Sequence, residues 1–146
     1  MSISFEEFVE RQIRAAELLN RNVRLSLIKN ALRMEADAKL NATGFPKVQT
    51  GRLRNSIQGI VGKSFAQGGF YILLRAGGLS MVDDAAFYAG ERGADVNYAK
   101  VQEFGGGEDN IIPKFYLRRS RDKNMPKLER DIQRALKLSL QGKFFR

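Results

Sequence analysis

Apolar residues recur at helical spacing through the first 42 residues, and no other feature of the chain restricts its fold as strongly. Phe5, Val9, Ile13 and Ala16, then Val23, Leu27, Ala31, Met34 and Ala38, keep to one side of a helix. A strand, whose side chains alternate with a period of two, cannot gather them on one face. Leu25, Ile28 and Leu32 flank this row and widen the expected buried stripe. Ser4 is placed to cap the first turn, with Glu6 and Glu7 at the end of the helix where the dipole favours acid. Asn20-Arg21-Asn22 interrupts the apolar pattern and is expected to bend or break the helix. Asn41-Ala42-Thr43-Gly44-Phe45-Pro46 then stops it. A helix this long exceeds what a small domain needs, so a neighbouring subunit is expected against it as well as its own sheet.

The middle of the chain, residues 50–112, reads as sheet and loops. Ser56–Val61 and Phe70–Arg75 are rich in β-branched and aromatic residues, and Gly62–Gly69 between them predicts a turn. Met81–Tyr88 is a weaker extended segment, Gly90–Asn97 a surface loop, and Tyr98–Phe104 either a helical turn or a strand before Gly105-Gly106-Gly107. Residues 113–141 return to helix. Phe115–Lys123 forms a first segment, and Pro126 is expected to start or kink a second. There Leu128, Ile132, Leu136 and Leu140 make a packing stripe, while Lys127, Arg130, Arg134 and Lys137 form a basic ridge opposite. Gly142 ends the helix and leaves residues 142–146 as a tail.

These elements describe one α+β domain over 1–146: a long N-terminal helix, a small antiparallel β-sheet and a basic C-terminal helix. With 146 residues, 43% hydrophobic and 28% charged, the chain can bury a core without metal or disulfide. It contains no His and no Cys, which removes thiol nucleophiles, imidazole and thiolate zinc sites, His bases and the Ser-His-Asp triad. Neither a secretory leader nor an apolar run of the roughly 20 residues needed to cross a membrane is present in the sequence. The net charge of +9 is localised, because residues 113–146 hold eleven basic and three acidic side chains while the rest is nearly neutral. Such an excess fits nucleic acid, an acidic protein surface or anionic lipid, and equally a solvated helix face.

Motifs for chemistry fail on spacing. Gly59-Ile60-Val61-Gly62-Lys63-Ser64 lacks the first Gly of a phosphate loop, since Ile57 occupies that place. Gly78-Leu79-Ser80-Met81-Val82 lacks the second Gly of a nucleophile elbow. Asp83-Asp84 and Glu108-Asp109 are expected to be solvated loop acids, and no metal or other cofactor is expected.

Three further motifs carry their meaning by order: Thr50-Gly51-Arg52-Leu53-Arg54-Asn55-Ser56-Ile57, then Tyr98-Ala99-Lys100-Val101-Gln102-Glu103-Phe104-Gly105, then Ile112-Pro113-Lys114-Phe115-Tyr116-Leu117-Arg118. Together they resemble the phage tail-completion family found at the head–tail joint of long-tailed phages. Its members read TG-x-L-x-x-S-I, YA-x-x-x-E-x-G and P-x-F-L-R-P-A in the same order. The resemblance spans about Ala31 to Leu140; here Tyr116 is inserted between Phe115 and Leu117, and Arg119-Ser120 stands where Pro-Ala is common.

The resemblance implies a structural virion protein, made in the host cytoplasm and without enzymatic activity. It would form a hexameric ring joining tail tube to head connector around the DNA path. Its partners would be copies of itself, other neck and tail proteins and, in passing, double-stranded DNA, with no membrane.

In this reading Thr50, Gly51, Leu53, Ser56, Ile57, Tyr98, Ala99, Glu103, Phe104, Gly105, Pro113, Phe115 and Leu117 are structural motif residues. Phe115 and Leu117 are expected to plug the core, and Tyr98, Ala99 and Phe104 to pack a short segment beneath the sheet. Glu103 is expected to fix a loop by accepting backbone N–H bonds or by pairing with Arg52 or Arg54. Arg118, Arg119, Arg121, Lys127, Arg130, Arg134 and Lys137 are candidate interface or polyanion contacts. The alternative is a nucleic-acid-binding module using the C-terminal helix; an enzyme acting through the acidic loops ranks last.

Overall fold

A computed structural model describes residues 4–43, 52–64, 69–76, 99, 101–106 and 112–145. The architecture is α+β: a long N-terminal helix α1 (Phe5–Thr43), one turn of helix α2 (Arg52–Ser56), antiparallel strands β1 (Gln58–Lys63) and β2 (Phe70–Arg75), and a C-terminal helix α3 (Tyr116–Leu140). Thr50, Gly51, Tyr98 and the segments expected at 81–88 and 90–97 lie outside the described residues.

Helix α1 starts with a capping box. The Ser4 hydroxyl accepts from Glu7 N–H at 3.2 Å, and the Glu7 carboxylate accepts from Ser4 N–H at 3.4 Å. The helix then runs unbroken for 39 residues, about 58 Å at 1.5 Å per residue. The break expected at Asn20–Asn22 does not occur. Asparagine disfavours helix because its amide competes for nearby backbone groups, but the Asn22 amide is engaged elsewhere. It donates to Ser139 Oγ and to the Lys143 carbonyl and accepts from Phe145 N–H, and Asn22 is completely buried.

Helix α3 lies antiparallel against α1, and the seam between them is small and polar. Three rungs set it: Asn22 with Ser139; Asn30 and Arg33 with Asp131; Asp37 with Asn124 and Lys123. The rungs fall eight and then seven residues apart on each helix, close to two turns, so they share one face. Ser120 adds a bond to the Met34 carbonyl, and Asn41 donates to the Tyr116 carbonyl. Ala31, Ala38, Ala42 and Ala135, all buried, let the backbones approach.

This seam corrects the stripe expected on α3. Leu136 and Leu140 are exposed, Leu128 and Ile132 half-buried, and the packing row is Ser120, Asn124, Ala135 and Ser139. Leu25, Ile28 and Leu32 likewise face outward and do not widen the buried stripe. Nor does Pro126 divide α3, which is continuous from Tyr116. Its missing N–H falls on the exposed side, where solvent can satisfy the Asp122 carbonyl left without a donor. A Schellman closure ends α3, with Lys143 N–H on the Leu138 carbonyl and Gly142 N–H on that of Ser139. Gly142 has φ 67, a conformation glycine takes without penalty.

The hairpin pairs Gln58 with Arg75 through Lys63 with Phe70, and Gln58 Oε1 also accepts from the Arg75 guanidinium. A lone hairpin is marginal in water; this one is held to α1 at Gly59, whose N–H donates to Glu35 at 2.9 Å. The first strand starts later than expected because Arg52–Ser56 coil into α2, placing Leu53 and Ile57 four apart on one face. Both join Ala38, Ala42, Ala99 and Tyr116 in the core, with Leu74, Ala76 and Leu117 packed around it. The segment at Ala99 and 101–104 is helical, which decides between the two expected conformations.

Candidate assembly surface

The third motif builds the start of α3. Lys114 N–H and Phe115 N–H donate to the carbonyls of Gln102 and Glu103, tying the short helical segment to the chain before α3. Phe115 precedes the helix with φ 50 and ψ 37 and offers no side-chain cap. Glu103 supplies the cap from a distance: its Oε2 accepts from Leu117 N–H at 2.9 Å and its Oε1 from Arg118 N–H at 3.0 Å. Those N–H groups lack partners inside the helix, and a carboxylate meets them and the dipole together. Both Glu103 oxygens are therefore spent on backbone and not on Arg54. Gly105, with φ 76, closes the short segment by donating to the Val101 carbonyl.

Core plugging falls to Tyr116, 1% exposed, and not to Phe115 and Leu117, which are half-buried. The left-handed backbone at Phe115 turns its ring aside, where the Arg118 guanidinium covers it at 5.4 Å. Tyr116 takes the central place, its hydroxyl donating to the Ala99 carbonyl. Ala99 is buried as expected, but Phe104 is 62% exposed and lines a groove. Ser56 donates to the Leu53 carbonyl, and Pro113 is half-buried beside the entry to α3. The described motif residues thus gather at one junction where α1, α2, the short helical segment and α3 meet.

Apart from Arg118, whose N–H Glu103 caps, the candidate contacts on α3 lie outside that junction. Arg118, Arg119, Lys127, Arg130, Arg134 and Lys137 are exposed, and Arg121 is exposed with its guanidinium on Asp122. At 100° per residue, Arg119, Lys123, Lys127, Arg130, Arg134 and Lys137 fall in one row along the helix. Lys123 in that row bridges to Asp37. The Asp37 carboxyl is held below its ordinary value by Lys123 first and then by Asn124. Glu35 is lowered similarly by Lys39, with Gly59 N–H adding to it.

Two apolar surfaces are exposed: the start of α1, which held none of the expected site residues, and a groove that gathers Ala99, Glu103, Phe104, Leu117, Arg118 and Arg121 from among them. Every residue from Ser4 to Glu17 is exposed, including Phe5 at 81%, Phe8 at 53% and Ile13 at 54%. Phe5, Val9, Ile13 and Ala16 continue the helix face that buries Leu27, Ala31, Met34 and Ala38 one stretch later. That face runs out of cover because α3 ends opposite Asn22. The second surface is a groove of about 880 Å3 between β2, the short helical segment and α3. By contrast the tail docks on its own chain: Phe145 is 5% exposed under Lys29, while Phe144 is 58% exposed beneath Arg21.

Among the described residues no group of acidic side chains is placed to hold a metal ion, and no helix is long and apolar enough to cross a membrane. No family profile, curated protein or solved structure matches the chain.

Proposed function

We propose that the chain is a structural subunit that assembles with copies of itself, and that its assembly is the ring of a phage neck. In that role it joins tail tube to head connector around the DNA path, and no reaction is assigned to it. The neck assignment rests on the three ordered motifs. The observation that carries self-assembly is the stripe Phe5, Val9, Ile13: the core-facing side of α1 continued for about 20 Å past the end of the fold. Single exposed leucines are ordinary, but a contiguous stripe of this kind marks an interaction surface. Replacing Phe5, Val9 and Ile13 together by Ser tests the reading. The wild-type chain is expected to give closed rings by mass measurement and imaging. The variant is expected to stay monomeric, with the thermal midpoint of the wild-type chain at a dilution where that too is monomeric, because the stripe contributes nothing to the protomer's own packing. A wild-type chain that remains monomeric at high concentration, and forms no ring with tail or connector proteins, overturns it.

The exposed basic row on α3 favours a second reading, a nucleic-acid-binding module. Its residues form an exposed basic stripe along one helix, the kind of surface that contacts phosphates. In a ring the same row serves an acidic neighbour or the passing DNA.

A further inference from the structure

We infer that the exposed stripe of one copy seats in the groove of a second copy. This rests on the self-assembly part of the function proposed above, not on the phage neck. The groove offers Ile72 and Leu74 from β2, Phe104 from the short helical segment, and Met125, Leu128 and Ile132 from α3. Phe104 and Met125 remain exposed at 62% and 39%, so the groove is open to an apolar occupant. The stripe presents Phe5, Val9 and Ile13 on a capped helix, already ordered before binding, which limits the entropy lost on docking.

Charge selects the pairing. Between Ser4 and Glu17 the helix carries Glu6, Glu7, Glu10 and Glu17 against Arg11 and Arg14. The groove is lined by Arg75, Arg118 and Arg121, of which Arg121 pairs with the exposed Asp122 and Arg75 donates to the neutral Gln58, and Glu103, the acid among its lining residues, is committed to capping α3. An acidic apolar helix thus meets a basic-rimmed apolar groove. The seating cannot occur within one chain, because α1 is continuous through Thr43 and its first turns point away from the groove, past the end of α3. A stripe on one copy and a groove on the next make a heterologous contact. Each copy keeps one surface of each kind free for another neighbour, so the contact propagates to a ring if the rotation closes.

The chain contains no Cys, which makes a cysteine test clean. Two full-length single variants, Val9→Cys and Met125→Cys, alter exposed positions and are checked for unchanged thermal midpoints. Their mixture, oxidised under assembling conditions, is expected to yield the mixed Val9–Met125 dimer in preference to either homodimer. A charge swap gives an independent reading. Glu6→Lys with Glu10→Lys is expected to weaken assembly roughly tenfold, and Arg118→Glu with Arg121→Glu in the same chain to restore most of it.

A chain that is monomeric throughout removes both the assembly reading and this inference. Assembly with Val9–Val9 crosslinks means a symmetric pairing of stripes and overturns the inference alone. So does assembly in which neither charge variant has an effect.

Discussion

Gly59 shows how one position couples sheet to helix. A Cβ there would lie 2.3 Å from the Ala31 carbonyl oxygen and 2.9 Å from its carbon. Both are backbone of α1, so no flexible side chain can give way. Gly59→Ala is therefore expected to destabilise the protomer by about 1–3 kcal/mol, the range for overpacking. At Gly69 an added Cβ would meet nothing within 4 Å, and Gly69→Ala is expected to change stability by less than about 0.5 kcal/mol. Urea unfolding of the two variants checks the pair; equal losses would contradict the close approach at Gly59. The sequence placed Gly59 in a failed phosphate loop, since a glycine that admits a helix backbone looks no different in sequence from one that turns a loop. Glu103 was more legible. A carboxylate beside glycines was expected to fix a loop through backbone N–H groups, but only the meeting of two segments identifies these as the first donors of α3.

Between elements, the polar rungs of the α1–α3 seam decide register. Asn–Ser, Asn–Asp and Asp–Asn pairs are satisfied in one antiparallel alignment, and a slip of a turn would leave several buried polar groups without partners, each costing about 1–3 kcal/mol. Two carboxylates tie this seam and the sheet to pH. Glu35 and Asp37 are both held below their ordinary values of 4.5 and 3.8, by Lys39 and by Lys123 respectively, against the opposing effect of burial. A carboxyl made more acidic by folding adds stability that is fully present above its ordinary value and is lost as pH falls through the lower folded one. The thermal midpoint is thus expected to hold from neutrality to about pH 5 and to fall below about pH 4. Asp37→Asn is expected to be less stable at neutral pH and to lose less on acidification. Calorimetry across that range would reject the account if the two curves ran parallel. Sequence periodicity located both helices but chose the wrong packing face on α3. It weighs leucines above serines, whereas the partner helix here offers asparagine, aspartate and alanine.

Over the whole molecule, charge and apolar surface are divided. Sixteen large apolar side chains are exposed among the described residues, while the buried apolar set beyond alanine is Leu27, Met34, Leu53, Ile57, Tyr116 and Phe145. Such a balance suits a protomer whose remaining burial is between copies. The +9 net charge resides mostly in residues 113–146; on α3 most of it faces solvent, with Lys123 reaching the seam at Asp37 and Arg118 and Arg121 rimming the groove. If Lys127, Arg130, Arg134 and Lys137 grip phosphates, binding to duplex DNA should show a log-affinity slope against log salt of about −3.6. A flat response, or tight binding after all four are replaced by Ala, would leave the row to a protein partner.

What the sequence determined by itself was local: two helices from their apolar period, a hairpin from its β-branched strands and Gly-rich turn, and a basic C-terminal segment. Tertiary structure alone decided that Asn22 would clamp the tail and leave α1 whole, that Tyr116 and not its neighbours would fill the core, and that α1 would outrun α3. The physical reason is that helical period depends on residues a few positions apart. Whether a polar side chain is satisfied, or an apolar one covered, depends on which distant segment arrives against it.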